Sequence, residues 1–220
     1  MERIPEPEIM DGAQQAEAYA QADFSSSNSA FVDGLTATFP DQLQSVLDIG
    51  CGPANIPVLL ANARPECRIT AVDASPAMLS LARDRIKAAG LTERIRLECQ
   101  RLPGLSAPVG AWTAIISKDL LHHLSDPGAL WNEIARLGAP GMAVYVMDLF
   151  RPETPEAART IVETVSGDEP EILKTDFYQS LLAAFTPDEA REQLARTGLN
   201  DILAVEVVSD RHMVIQGRLG

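Results

Sequence analysis

Basic residues are scarce in this chain: 18 lysines and arginines stand against 31 aspartates and glutamates, giving a formal charge of −13 and a pI near 4.6. Such a surface repels a phosphate backbone, and no basic cluster relieves it, so DNA and bulk RNA are excluded as substrates. Cysteines are few and odd in number, and Cys51, Cys67 and Cys99 lack metal-ligand spacing, so they read as reduced thiols. Long apolar runs are missing, and residues 1–8 offer neither a basic n-region nor an apolar h-region. Neither a membrane span nor a secretory leader is expected, and the expected location is cytoplasmic. Aromatics are rare, 5% of residues, and none lies between Phe39 and Trp112, so those present concentrate toward the two flanks of that stretch.

Apolar residues are plentiful, 46% of the chain, enough for the core of one α/β domain over residues 1–220. The organising stretch is residues 46–56, V-L-D-I-G-C-G-P-A-N-I. Val46, Leu47 and Ile49 read as a buried parallel strand, and Gly50 and Gly52 let the backbone turn sharply and approach a ligand. A second strand from Arg68 ends at Asp73, about twenty residues downstream, where a carboxylate can accept both hydroxyls of a ribose. No G-K-[S/T] follows the glycines, which excludes a triphosphate P-loop.

Asp48 ahead of Gly50, Gly52 and Ala54 resembles the first motif of the class I S-adenosylmethionine-dependent methyltransferases, acidic-x-G-x-G-x-G. The run A-V-D-A-S-P-A-M-L at residues 71–79 resembles the acidic end of that family's second strand. The departure is Ala54 in the third glycine position, which doubly wound folds accept at a helix start. The resemblance covers nearly the whole chain. It implies an α/β fold, a doubly wound, seven-stranded, mostly parallel sheet of the Rossmann-like methyltransferase type, with an N-terminal helical cap (1–40) and a helical lid insert (151–185) after the fifth strand. It further implies S-adenosyl-L-methionine as cofactor. Asp48, Gly50, Cys51, Gly52 and Pro53 would then face its methionine portion and Asp73 its ribose, with Ala74 and Met78 beside it. Gln100 and Arg101 fall where that family meets the adenine, and Ser117 ends the fourth strand.

The local signals fit this order. Asp11 can cap a helix through Ala16, Tyr19 and Ala20, and Ser27 a second one with Phe31, Leu35 and Phe39 inward and Pro40 as its stop. Ser75 and Pro76 open a helix whose buried face is Met78, Leu79, Ala82 and Ile86, and Gly90 sits where its terminal glycine belongs. Ile95–Cys99 and residues 112–116 read as the third and fourth strands. Asp126 and Pro127 cap a helix with Leu130, Ile134 and Leu137 inward, and residues 142–149 are apolar enough for a central fifth strand. The insert carries Ile161, Val162 and Val165 on one helix and Phe177, Leu181 and Phe185 on the other. Thr186 to Glu189 is a capping box, Gly198 closes that helix, and residues 202–208 and 212–216 form a terminal hairpin. Open sheets bind ligands at the carboxyl ends of their strands, where Asp48, Asp73, Gln100, Ser117 and Asp148 fall.

Methyl transfer from a sulfonium needs an aligned acceptor more than an activated protein group, and alignment supplies about 7–11 kcal/mol of a barrier. No metal is expected: adjacent histidines such as His122 and His123 diverge from a helix, and the Asp, Asn and Glu pattern of a magnesium site is absent. His122 or His123 is a candidate base, and Asp148 is a separate catalytic candidate at the mouth of the fifth strand, where a carboxylate also commonly caps the following loop. Lys118 can bind an acidic group or pair with Asp119 in solvent, and His212 reads as strand packing. Aromatic faces stabilise a desolvated cation by about 2 kcal/mol or more, which singles out Tyr19 and Tyr178, whose hydroxyls can also orient a reacting group. The expected activity is methyl transfer to a small molecule, in a chain for which a homodimer is compatible. One rival is cyclisation of the cofactor itself to azetidine-2-carboxylate and methylthioadenosine. Another is a cofactor-binding partner subunit without turnover.

Overall fold

The computed structural model describes residues 1–6 and 24–220. Seven strands form one sheet: β1 (Ser45–Ile49), β2 (Arg68–Asp73), β3 (Ile95–Cys99), β4 (Ala114–Lys118), β5 (Ala143–Leu149), β6 (Leu203–Val207) and β7 (His212–Arg218). Their order is β3-β2-β1-β4-β5-β7-β6, parallel from β3 to β5, with β7 antiparallel to both neighbours. The helices are α1 (Ser25–Thr38), α2 (Asn55–Ala63), α3 (Pro76–Ala88), α4 (Gly128–Leu137), α5 (Pro155–Ser166), α6 (Glu171–Ala183) and α7 (Pro187–Arg196). This is the α/β doubly wound architecture that the motifs imply. Among the described residues, no helix is long and apolar enough to cross a membrane.

Side-chain alternation along the central strands builds a core on each face, because successive strand residues point to opposite sides. Val46, Ala114, Ile116, Ala143 and Tyr145 pack with Phe31 and Leu35 of α1, Leu60 of α2 and Ile86 of α3. Leu47, Ile115, Val144 and Val146 pack with Trp131 and Ile134 of α4 and Leu194 of α7. Both faces are covered, which is why these strands read as continuous apolar runs. Tyr145 ties α1 to the sheet: its ring meets Phe31 edge-on at 5.1 Å, and a Cβ at Gly34 would fall 2.3 Å from its hydroxyl.

Most boundaries lie where the cap chemistry puts them. Ser75 accepts from Met78 N, Thr154 from Ala157 N, and Thr186 and Glu189 complete the reciprocal capping box. Gly90 and Gly198 take φ of +70° and +73°, the left-handed backbone that ends a helix. Three expectations shift. Ser27 does not cap α1, which starts at Ser25; its hydroxyl donates to the Phe24 carbonyl instead. β4 begins at Ala114 and runs on to Lys118, because its pairing with β5 continues through Ser117 and Lys118. Phe185 lies beyond α6, bridges to Phe150 and joins the main core rather than the insert. Residues Asp11 to Ala20, with the helix expected there, lie outside the described residues.

The terminal hairpin closes against a backbone that leaves no room for a side chain: a Cβ on Gly217 would sit 2.1 Å from the Ile202 carbonyl and 3.0 Å from Leu203 Cδ2. Overpacking of this kind costs about 1–3 kcal/mol, occasionally more. Gly217→Ala is therefore expected to lower the unfolding free energy by that amount, read as a lower denaturation midpoint in a chemical melt. An unchanged midpoint would refute the close approach of β7 to the turn before β6.

Candidate functional site

A cleft of about 430 Å³ opens at the carboxyl ends of β1 to β4, where the sheet order reverses between β1 and β4. The loop after β1 forms its floor. Gly50 N and Cys51 N both donate to the Val72 carbonyl, at 2.8 and 3.0 Å, which pins the loop on β2. Gly50 takes a φ of +80° with Leu120 against it, and Gly52 takes +51° with open space where a Cβ would stand. Ala54, in the third glycine position, is buried at φ +63° and caps α2 from the left-handed region. The site thus accepts a conformation that glycine adopts without cost and alanine does not.

Asp73 closes the loop from the second strand. Its Oδ2 accepts from Gly52 N and its Oδ1 from Ser75 N, both at 2.8 Å. A carboxylate has about four acceptor sites, so these two bonds do not exhaust it. Asp48 stands behind the loop, 2% exposed, with its Oδ2 lacking a hydrogen-bond partner. Burial, and then the nearby Asp73 carboxylate, push the Asp48 carboxyl up to about 8. Burial likewise holds the Cys51 thiol well above its ordinary range, which makes it a protonated wall residue rather than a nucleophile. Pro53, Ala74 and Met78 line the same cleft, as do Gln100 and Arg101 after β3. The Gln100 carboxamide is held by Glu98 and by Ser106 N.

Four other expected residues do not line this cleft. Ser117 is fully buried and donates to the Ile49 carbonyl at 2.7 Å, tying β4 to β1. Tyr178 packs in the small core of the insert, beside Leu181 and under the Arg159 guanidinium. His122 and Asp148 are buried together behind the wall. Asp148 accepts from Leu121 N at 2.7 Å and faces His122 Nδ1 at 2.6 Å, so it holds the turn and the imidazole at once. Burial acts to lower the His122 pKa, but the carboxylates of Asp148, Glu6 and Asp119 outweigh it and raise it to about 9. A base that keeps its proton at neutral pH is a poor proton acceptor, so this environment counts against His122 as a general base. Tyr19 lies outside the described residues.

Lys118, Asp119 and His123 also line the cleft, so of the two candidate histidines it is His123 that reaches it. Lys118 pairs with Asp119, yet the pair is buried rather than solvated, with a Lys118 side chain only 6% exposed. Asp119 takes φ +54°, which turns the chain from β4 into the short turn Leu121–His123. The expected divergence of the two histidines fails. The turn ends at His123, so its ring folds back on its neighbour, and the two rings lie 4.2 Å apart, both against Glu6. Glu6 gets there because Arg3 donates to the His122, Leu124 and Ala183 carbonyls and Ile4 N to the Leu182 carbonyl, strapping residues 1–6 along the end of α6. No spacing rule could have joined residues so far apart in the chain.

The floor suits a ligand with a sugar and a cationic arm. Asp73 can take hydroxyls, the bare Gly52 leaves a cradle, and the Asp48 oxygen without a partner has room in its chemistry for a donor.

Comparison with known proteins agrees with this geometry. A family profile described as a methyltransferase domain matches residues 46–141, which hold the loop, both acidic strand ends and β4. The ubiquinone biosynthesis O-methyltransferase of Xylella fastidiosa is 30% identical over 125 residues, 56% of this chain and 49% of that enzyme. The chain spans about half the length of that relative and a smaller share of several other curated relatives. Among solved structures, an S-adenosylmethionine-dependent methyltransferase from Aquifex aeolicus superposes with a TM-score of 0.70 at 16% identity, over 94% of this chain and 98% of that one. The [4+2]-cyclase SpnF superposes with a TM-score of 0.58 at 20% identity, over 90% and 84%.

Proposed function

Because the chain belongs to the class I S-adenosylmethionine-dependent methyltransferase family, we propose that it transfers the methyl group of S-adenosylmethionine to a small-molecule acceptor. The observation that carries this reading is the cleft floor: Asp73 braced by Gly52 N and Ser75 N, the open glycine loop, and an unpartnered buried Asp48 oxygen. Bound there, the cofactor supplies a methyl group already activated by its sulfonium charge. The chain's own part is to hold and enclose. Asp73 accepts from the ribose, the backbone of Gly50 to Pro53 and the Asp48 carboxyl face the methionine arm, and Gln100 and Arg101 flank the adenine. Asp148 fixes the His122 turn, and with it Leu120 and His123, along the wall where an acceptor enters. Positioning of this kind can supply about 7–11 kcal/mol without a nucleophile or a base. The acidic surface supports a small acceptor over a nucleic acid.

The test starts from the cofactor without any acceptor, because that sample separates methyl transfer from cyclisation of the cofactor itself. The expected result is that purified protein binds S-adenosylmethionine and leaves it intact for hours, and that a panel of small hydroxylated, amine and carboxylate acceptors then yields S-adenosylhomocysteine. Rapid, enzyme-dependent methylthioadenosine in the acceptor-free sample would replace methyl transfer with cyclisation of the cofactor. Binding with no turnover on any acceptor would leave the partner-subunit role.

A further inference from the structure

We propose that Glu6, His122 and His123 form a binding site for one divalent transition-metal ion of the zinc class, at the wall of the cleft. The proposal does not depend on which reaction the cleft performs. It rests first on geometry. Glu6 Oε1 lies 3.3 Å from His122 Nε2 and 3.1 Å from His123 Nδ1, and the three ligand atoms all fall within 4.8 Å of one another. Donors bound to a tetrahedral zinc at its usual bond lengths are separated by roughly 3.3–3.6 Å, so two of the three edges need only small adjustments. Two imidazoles and one carboxylate are also the donor set of open, three-ligand zinc and iron sites, which leave a position for water or a substrate.

The second observation is independent of those distances. His122 presents Nε2 to the cluster because its other nitrogen, Nδ1, faces Asp148 at 2.6 Å, and Asp148 is itself fixed by Leu121 N at 2.7 Å. A carboxylate behind the distal nitrogen is the support that metal-bound histidines nearly always have, since it sets the tautomer and the ring orientation. Glu6 is brought in by the Arg3 strap rather than by its own turn, and Ser180 donates to both of its oxygens at 3.2 and 3.3 Å, fixing the carboxylate where the rings meet. His123 lines the cleft, so an ion on these ligands would lie at the wall of that cavity. Without an ion, the same contacts amount to a carboxylate paired with two imidazoles, and the experiment separates the two cases.

The 220-residue chain is treated with a chelator, exchanged into metal-free buffer and titrated with zinc and, separately, magnesium in a calorimeter. The expected result is one zinc per chain and no magnesium at the same concentrations. Glu6→Gln and His123→Ala should each weaken zinc at least tenfold, and Asp148→Asn by about 10- to 100-fold through the ring it orients. Cobalt in place of zinc should give the visible absorption of a low-symmetry site, lost in His123→Ala. Folding of each variant is checked by its melting curve, and His123, at the edge of the core, serves if Asp148→Asn does not fold. No zinc uptake by the wild-type chain, or uptake unchanged in both Glu6→Gln and His123→Ala, would overturn the proposal and leave an ion pair alone.

Discussion

Asp73→Ala should weaken S-adenosylmethionine binding by roughly 10²- to 10⁴-fold. Charge-assisted hydrogen bonds contribute about 1.5–3 kcal/mol each, and the ribose offers two hydroxyls to this carboxylate. The structure adds a second route to the same loss. Asp73 also receives Gly52 N and Ser75 N, so its removal releases the glycine loop and the first turn of α3 together. Asp73→Asn keeps the shape and one acceptor oxygen and should fall between the two. Calorimetric titration with the cofactor decides it. A dissociation constant unchanged in Asp73→Ala would take Asp73 out of the site and the ribose reading with it.

Asp48→Asn should gain stability relative to the wild-type, cofactor-free protein as pH rises. The folded Asp48 carboxyl holds its proton up to about pH 8, whereas in the unfolded chain it loses it near the ordinary carboxyl value of 3.8. Between those values the folded state binds one proton more than the unfolded state. The wild-type chain therefore loses about 1.4 kcal/mol of stability per pH unit from this group as pH rises, and nothing further above pH 8. Asparagine does not titrate, so the gap between variant and wild type should widen to several kcal/mol by pH 8, an order-of-magnitude figure. The unpaired amide costs about 1–3 kcal/mol at every pH, so the slope rather than the offset is the readout. Denaturant melts at pH 5, 6.5 and 8 measure it, and parallel profiles would show that Asp48 is ionised in the empty fold. The same variant should bind the cofactor more weakly, because the cationic methionine arm then meets no carboxylate.

Much of the cofactor floor was legible in the sequence because it is local. Strand, glycine loop and helix follow one another within residues 46–56, and Ser75 and Pro76 place the second strand's Asp73 at a helix start without reference to anything distant. The other candidate residues were less legible. Tyr178 reads as a pocket aromatic by its place in the insert, but α5 and α6 bury their own apolar faces against each other, and it packs there instead. Ser117 reads as a polar strand end, but in a sheet covered on both faces a buried hydroxyl must find a partner, and the nearest is the neighbouring strand's Ile49 carbonyl.

Whereas the order of the sheet was legible only through the family resemblance, the sequence by itself determined the alternation of strands and helices, the glycine loop and the two acidic strand ends. Each of these follows from short-range periodicity, backbone freedom and capping, which act over a few residues. Only the tertiary structure decided that Asp48 is left with an unpaired oxygen, that the Lys118–Asp119 pair is buried, and that Glu6 meets both histidines across most of the chain's length. Burial and charge neighbours depend on which surfaces meet once the chain has packed, and no spacing of residues along it encodes that meeting.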